Sequence, residues 1–201
     1  MSKSQKARGA IFRVALIGIC AALLEAVKIA LEPIPNVEGI TLLCALFGYC
    51  FGSIGVLASV VFAAIEPLRW GIHTWVILYL IYWPSVSIAF MIFRKLKIKN
   101  IFVVTGAAVL LTVWFGIFSS LIDTFFFRFF SEYWSISKRT FWTIFTASYL
   151  NGVSFYITQI VCNAILFPLL FRPLSELMLR LRAKFLPEKS KKDLTNDQNM
   201  V

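Results

Sequence analysis

An apolar run from Gly39 to Ile65 constrains the fold more than any other stretch of this chain. It lies between two polar turns, Pro35-Asn36-Val37-Glu38 and Glu66-Pro67-Leu68-Arg69-Trp70, and is interrupted by Gly48, Gly52 and Gly55. The run reads either as one long helix or as two short ones, and the choice decides on which side of a membrane every later loop falls. That a membrane is involved follows from composition. Of the 201 residues, 59% are hydrophobic and only 15% are charged, far too apolar for a soluble domain of this size. At about 20 apolar residues per crossing, the chain has room for five or six spans and no separate soluble domain.

Charge parity decides between one crossing and two. Basic residues cluster at Lys3, Lys6, Arg8 and Arg13, again at Arg94, Lys95, Lys97 and Lys99, and finally at Arg172, Arg180, Arg182, Lys184, Lys189, Lys191 and Lys192. Two crossings bring all three clusters to one side, as the positive-inside rule requires; one crossing splits them. The formal net charge of +10 is explained the same way, as cytoplasmic loop charge rather than a nucleic-acid surface. Gly52-Ser53 supplies the turn, and each half is then only about 13 residues, or roughly 20 Å of helix. The expected fold is an all-α integral membrane protein of six transmembrane helices, with two short central helices joined by a glycine turn. Both termini are expected in the cytoplasm: residues 1–9 as a basic N-terminal segment, 10–172 as the membrane domain, and 173–201 as a basic amphipathic segment with a polar tail.

The first span, from about Ala10 to Leu31, reads as a retained helix rather than a cleaved signal. It carries small residues at Gly18, Ala22, Ala26 and Ala30, a spacing of four that lets another helix approach closely. Glu25, Lys28 and Glu32 follow a neighbouring flank, where either a self-contained Glu25–Lys28 pair or a role in a wet cavity would offset their burial. The fourth span, from about Gly71 to before Arg94, carries Trp75, Tyr79 and Tyr82 along one stripe, suited to an interfacial belt or to the floor of a pocket for a flat ring. The fifth covers about Ile101 to Phe126 and the sixth about Phe141 to Phe171. Asn151 and Gln159 on the sixth either cross-link helices or orient a polar ligand. Two crossings put Glu32, Asn36, Glu38, Glu66, Arg69, His73, Asp123, Arg128 and Glu132 on one outer face.

Several chemistries lack their residues. There is no GxxxxGK[ST], so the chain does not drive anything with its own ATP. His73 is the single histidine and the four cysteines form no CxxC, which removes most metal sites and leaves the cysteines as packing residues. No serine sits in a GxSxG. No catalytic residue, cofactor or metal is therefore expected.

The pattern resembles the substrate-binding S component of energy-coupling factor (ECF) vitamin transporters. The likeness rests on the small-residue face of the first helix (Gly18, Ala22, Ala26) and on the Pro35-Asn36-Val37-Glu38 turn leading into Ile40-Thr41-Leu42-Leu43. It rests also on the Phe51-Gly52-Ser53-Ile54-Gly55 hairpin before an aromatic fourth helix. The resemblance spans roughly residues 10 to 172 and implies a subunit of a bacterial plasma membrane that binds a micronutrient from outside. As partners it implies a transmembrane coupling subunit, met through Gly18, Ala22 and Ala26, and two cytoplasmic ATPases. Candidate substrate-binding residues are Asn36, Glu38, Glu66, Arg69, Trp70, His73, Trp75, Tyr79, Asp123 and Asn151. An aromatic pocket with paired charges suits an organic ring compound, with cobalamin or a related corrinoid first and queuosine-like or B6-like molecules next. The competing readings are a membrane scaffold that binds protein through its outer loops, and a small permease that works without ATP.

Overall fold

The computed structural model describes residues 3–34, 37, 39–130 and 140–185, and these are helical almost throughout. Helix α1 covers Lys3–Leu31, α2 Ile40–Phe51, α3 Ser53–Trp70, α4 Thr74–Lys95, α5 Ile101–Phe130 and α6 Phe141–Leu166. A wide π turn, Phe167–Phe171, joins α6 to α7, Arg172–Phe185. Among the described residues, α1, α3, α4, α5 and the continuous α6–α7 segment are each long and apolar enough to cross a membrane. The protein is an all-α, multi-pass membrane protein. Asn36, Glu38 and Glu132, and the side chain of Arg128, lie outside the described residues.

The apolar run does fold back at Gly52. Its φ of 61° and ψ of −126° fall where an L side chain is strained, so glycine is needed to end α2 and start α3 within one residue. Apart from Phe51, every residue of α2 is buried. A helix that is hydrophobic on all sides belongs inside a bundle, and α1, α3, α4, α6 and α7 all pack against this one. Its 12 residues make only roughly 18 Å of helix. Because protein rather than lipid surrounds it, that length need not match the bilayer.

Two further glycines set how closely α2 meets its neighbours. A Cβ on Gly48 would lie 2.0 Å from the Ser87 carbonyl oxygen of α4, and one on Gly55 would lie 2.2 Å from the Phe47 carbonyl. The three backbones therefore touch where side chains are missing, the close approach that drives helix association in a bilayer. A buried polar knot pins the same contact. Ser87 Oγ donates to the Cys44 carbonyl at 2.9 Å and lies 2.5 Å from Ser59 Oγ. Across α5 and α6, Asn163 Nδ2 donates to Thr112 Oγ1 at 2.9 Å, again with both side chains buried.

One expected boundary moves. The Glu66-to-Trp70 turn is instead the last stretch of α3, which runs through Pro67 and stops at Gly71, where φ reaches 80°. Proline within a membrane helix is tolerated when its surroundings absorb the lost hydrogen bond, and Gly71 is the first residue after Gly55 that takes a positive φ readily. The sixth span, read as running to about Phe171, closes on a π turn containing Pro168, where a widened turn relieves the clash of the proline ring with the preceding turn, and α7 follows directly from Arg172.

At this end of the bundle α7 folds against the C-terminus of α2. Arg182 Nη1 donates to the Cys50 carbonyl at 2.6 Å, placing a cation on the negative end of the α2 dipole. Arg94 lies 5.4 Å over the Tyr49 ring. The basic residues of the 94–99 loop and of α7 thus share the Gly52 end, and Glu25, Glu32 and Glu66 gather at the other with Arg69, Trp70 and Trp75.

Candidate functional site

The last turns of α1 present Glu25 and Lys28 along one flank, and Glu32 follows in the turn just past the helix end. Opposite them stands the C-terminal half of α3. The Lys28 ammonium donates to Glu66 Oε2, and the Glu66 side chain is fully buried. Arg69 reaches Glu32 at 2.8 Å and Glu25 at 3.5 Å, with its guanidinium 4.8 Å from the Trp70 ring. The local Glu25–Lys28 pair considered from the sequence is therefore not formed: both residues pair across to α3, where a carboxylate and a guanidinium are already held by the helix. Arg69 and Glu32 are exposed enough that their pair contributes about 0–1 kcal/mol. The Lys28–Glu66 pair must offset the desolvation of a buried carboxylate, so its role is positional rather than simply stabilising.

Lys28 is also enclosed by rings. Its Nζ lies 5.2 Å from the Tyr79 centroid, 5.3 Å from Trp75, 5.7 Å from Trp70 and 6.0 Å from Phe62. Each ring face attracts the ammonium through its quadrupole. Rings continue along α4 from the bundle end inward: His73 stacks on Trp75 at 5.9 Å, Trp75 meets Tyr79 at 5.1 Å, and Tyr79 meets Trp83 at 5.2 Å. The expected stripe of Trp75, Tyr79 and Tyr82 thus ends differently. Trp83 follows Tyr79 on the cavity side, whereas Tyr82 turns into the α4–α5 interface against Phe115, 4.8 Å away.

Next to this cage is a cavity of about 190 Å³. Its walls come from α1 (Lys28, Leu31), the connection to α2 (Glu32, Ile34, Val37, Gly39), Ile40, α3 (Phe62, Trp70), α4 (Tyr79, Trp83) and α6 (Phe155, Gln159). Among the described residues, the buried Trp83 Nε1, Glu66 Oε1 and Glu25 Oε2 have no hydrogen-bond partner. Buried polar atoms are nearly always satisfied, and of these exceptions Trp83 stands in the cavity wall while Glu66 is held behind Lys28; an aromatic cavity of this kind has the makings of a binding site. No three His, Cys, Asp or Glu side chains gather as metal ligands would, among the described residues.

Of the sequence candidates, Glu66, Arg69, Trp70, Trp75 and Tyr79 converge around Lys28, and Trp70 and Tyr79 line the cavity itself. His73 sits just before the first turn of α4, without a side-chain capping bond, and stacks on Trp75. Asp123 accepts a hydrogen bond from Thr74 Oγ1 at 2.6 Å, tying the end of α5 to the start of α4 rather than lining the cavity. Asn151 is exposed on α6, away from the cavity. Asn36 and Glu38 lie outside the described residues. Lys28 and Gln159, for which a cavity or ligand role was left open beside a structural one, do line the cavity, whereas Phe62, Trp83 and Phe155 were not among the candidates. Gln159 and Lys28 carried a signal, being polar groups within membrane helices; the aromatic residues carried none in a chain with 20 phenylalanines and 6 tryptophans.

No family model, curated protein or solved structure matches this chain.

Proposed function

We propose that this chain is the substrate-binding subunit of an ECF-type uptake system. It takes a small micronutrient from the outer side of a bacterial plasma membrane and carries it inward together with a transmembrane coupling protein and two ATPases. The observation that carries this reading is the ring-lined cavity among α1, α2, α3, α4 and α6, with the partnerless Trp83 Nε1 in its wall and the Lys28–Glu66 pair at its side. At about 190 Å³ it is smaller than the ~300–1,000 Å³ typical of sites for drug-sized ligands. That volume favours a compact ring compound of B6-like size over a corrinoid.

A partner surface is supported by α1. Gly18, Ala22 and Ala26 are all exposed on it, and a Cβ added at Gly18 would meet nothing within 4 Å. On this reading energy comes from a protein that packs against the ridge, where the side chains leave room for close approach.

The test is to purify the chain in detergent and identify co-purifying small molecules by mass spectrometry. Titration of a vitamin panel against tryptophan fluorescence follows, because Trp70, Trp75 and Trp83 stand at or beside the cavity. The expected result is a bound ring compound that quenches or shifts this emission. Ala22→Leu is expected to spare that binding and to abolish co-purification with the coupling protein. No response across the panel would defeat the reading, and uptake that persists without ATPase partners would favour an autonomous permease.

A further inference from the structure

The charges around the cavity do not balance. Three carboxylates, Glu25, Glu32 and Glu66, face two cations, Lys28 and Arg69, and both cations are already engaged. The unpartnered atoms lean the same way: Glu66 Oε1 and Glu25 Oε2 are buried acceptors with no donor, among the described residues. Four rings converge on a single point in front of Glu66, and that point holds the Lys28 ammonium. Ring faces around a carboxylate make the kind of cage that recognises quaternary and protonated nitrogen.

We infer that the cavity takes a small organic cation, an ammonium or a positively charged nitrogen heterocycle, and that Lys28 is the resident cation it displaces. This rests on the reading of the cavity as the ligand site. Lys28 lines the cavity whereas Glu66 does not, so the ammonium stands between the ligand space and the carboxylate. Its side chain retains 22% exposure, and its flexible stem lets the charge withdraw toward water when another cation arrives. The incoming cation then pairs with Glu66 and faces the same rings, so the buried carboxylate is never left alone. An anion meets the opposite situation. It would have to draw Lys28 off Glu66, leaving that carboxylate buried and unpaired beside a net negative belt. Trp83 Nε1 adds one donor, for an acceptor group elsewhere on the ligand.

The test uses the full-length chain in nanodiscs, with N-methylpyridinium as a flat cationic probe and benzoate as a flat anion of similar size, both followed by tryptophan fluorescence and calorimetry. Wild type is expected to bind N-methylpyridinium and to ignore benzoate. Lys28→Met empties the cage and is expected to bind N-methylpyridinium about tenfold more tightly. Adding Glu66→Gln to that variant is expected to remove the gain. Lys28→Gln, which keeps a polar group at the position, guards against a folding failure and is expected to shift affinity in the same direction. Benzoate binding that disappears in Lys28→Met would overturn the cation assignment while leaving the cavity a ligand site. A cation that binds wild type as tightly as both Lys28 variants would overturn the displacement. Binding of neither probe to wild type or variants would overturn this inference and the site reading together.

Discussion

The two ends of the bundle are built on opposite principles. At the Gly52 end and through the middle of α2, backbones touch where Gly48 and Gly55 lack side chains, hydroxyls satisfy one another, and Arg182 closes the α2 C-terminus. At the other end the same helices part around aromatic rings, paired charges and polar atoms without partners. Among the described residues, unpartnered buried atoms occur toward both ends, Thr105 Oγ1 and Asn163 Oδ1 at the packed one, so what separates a packed anchor from a site kept ready for something else is the space left among the rings and charges. The difference also explains where small changes matter. Near Gly48 a single methyl meets backbone, whereas near Lys28 a lost group opens onto space.

The contrast is broken most forcefully at Gly48. Gly48→Val places side-chain atoms into the α4 backbone and is expected to cost about 3 kcal/mol or more, read as loss of monodisperse protein in thermal size-exclusion. A variant as stable as wild type would mean that α2 and α4 are not in backbone contact. Glu66→Ala comes next. It removes the carboxylate partner of Lys28, and because Lys28 is partly exposed the cost is expected near 2 kcal/mol rather than the ~3–5 kcal/mol of a fully buried broken pair. The loss should show as a lower thermal midpoint in nanodiscs. Arg69→Ala sharpens the contrast at its weak end. Its pairs with Glu25 and Glu32 sit at the exposed rim, so a change of about 0–1 kcal/mol is expected, shrinking further in high salt.

How much of this was legible in the sequence differs between the two ends. The fold-back at Gly52 was readable, because charge parity constrains topology without any knowledge of packing and glycine marks where the chain can reverse. Several of the charged and aromatic residues at the end opposite the basic loops, Glu32, Glu66, Arg69 and Trp75 among them, were readable for the same reason. Which of them meet was not. Lys28 has Glu25 one turn away on its own helix, and only the placement of α3 shows that Glu66 takes it instead. Asn151 and Gln159 gave the same signal, a carboxamide in a membrane helix. They lie eight positions apart, hence about 80° apart around α6, and one is exposed while the other is buried on the cavity wall. Pro67 misled because proline punctuates soluble helices more firmly than those held within a bundle.

The central claim is that the reversal at Gly52 carries the cavity to the opposite membrane face from the basic loops. Cysteine accessibility tests it most directly. Ile72 and Leu96 are both well exposed, at 88% and 65%, and lie at the cavity end and the basic end respectively. Of the native cysteines, Cys20, Cys44 and Cys50 are buried, and Cys162 is replaced by serine. In right-side-out vesicles, a membrane-impermeant maleimide is expected to label Ile72→Cys and to leave Leu96→Cys untouched until the membrane is opened. Labelling of Leu96→Cys from outside, with Ile72→Cys protected or equally reactive, would contradict the account.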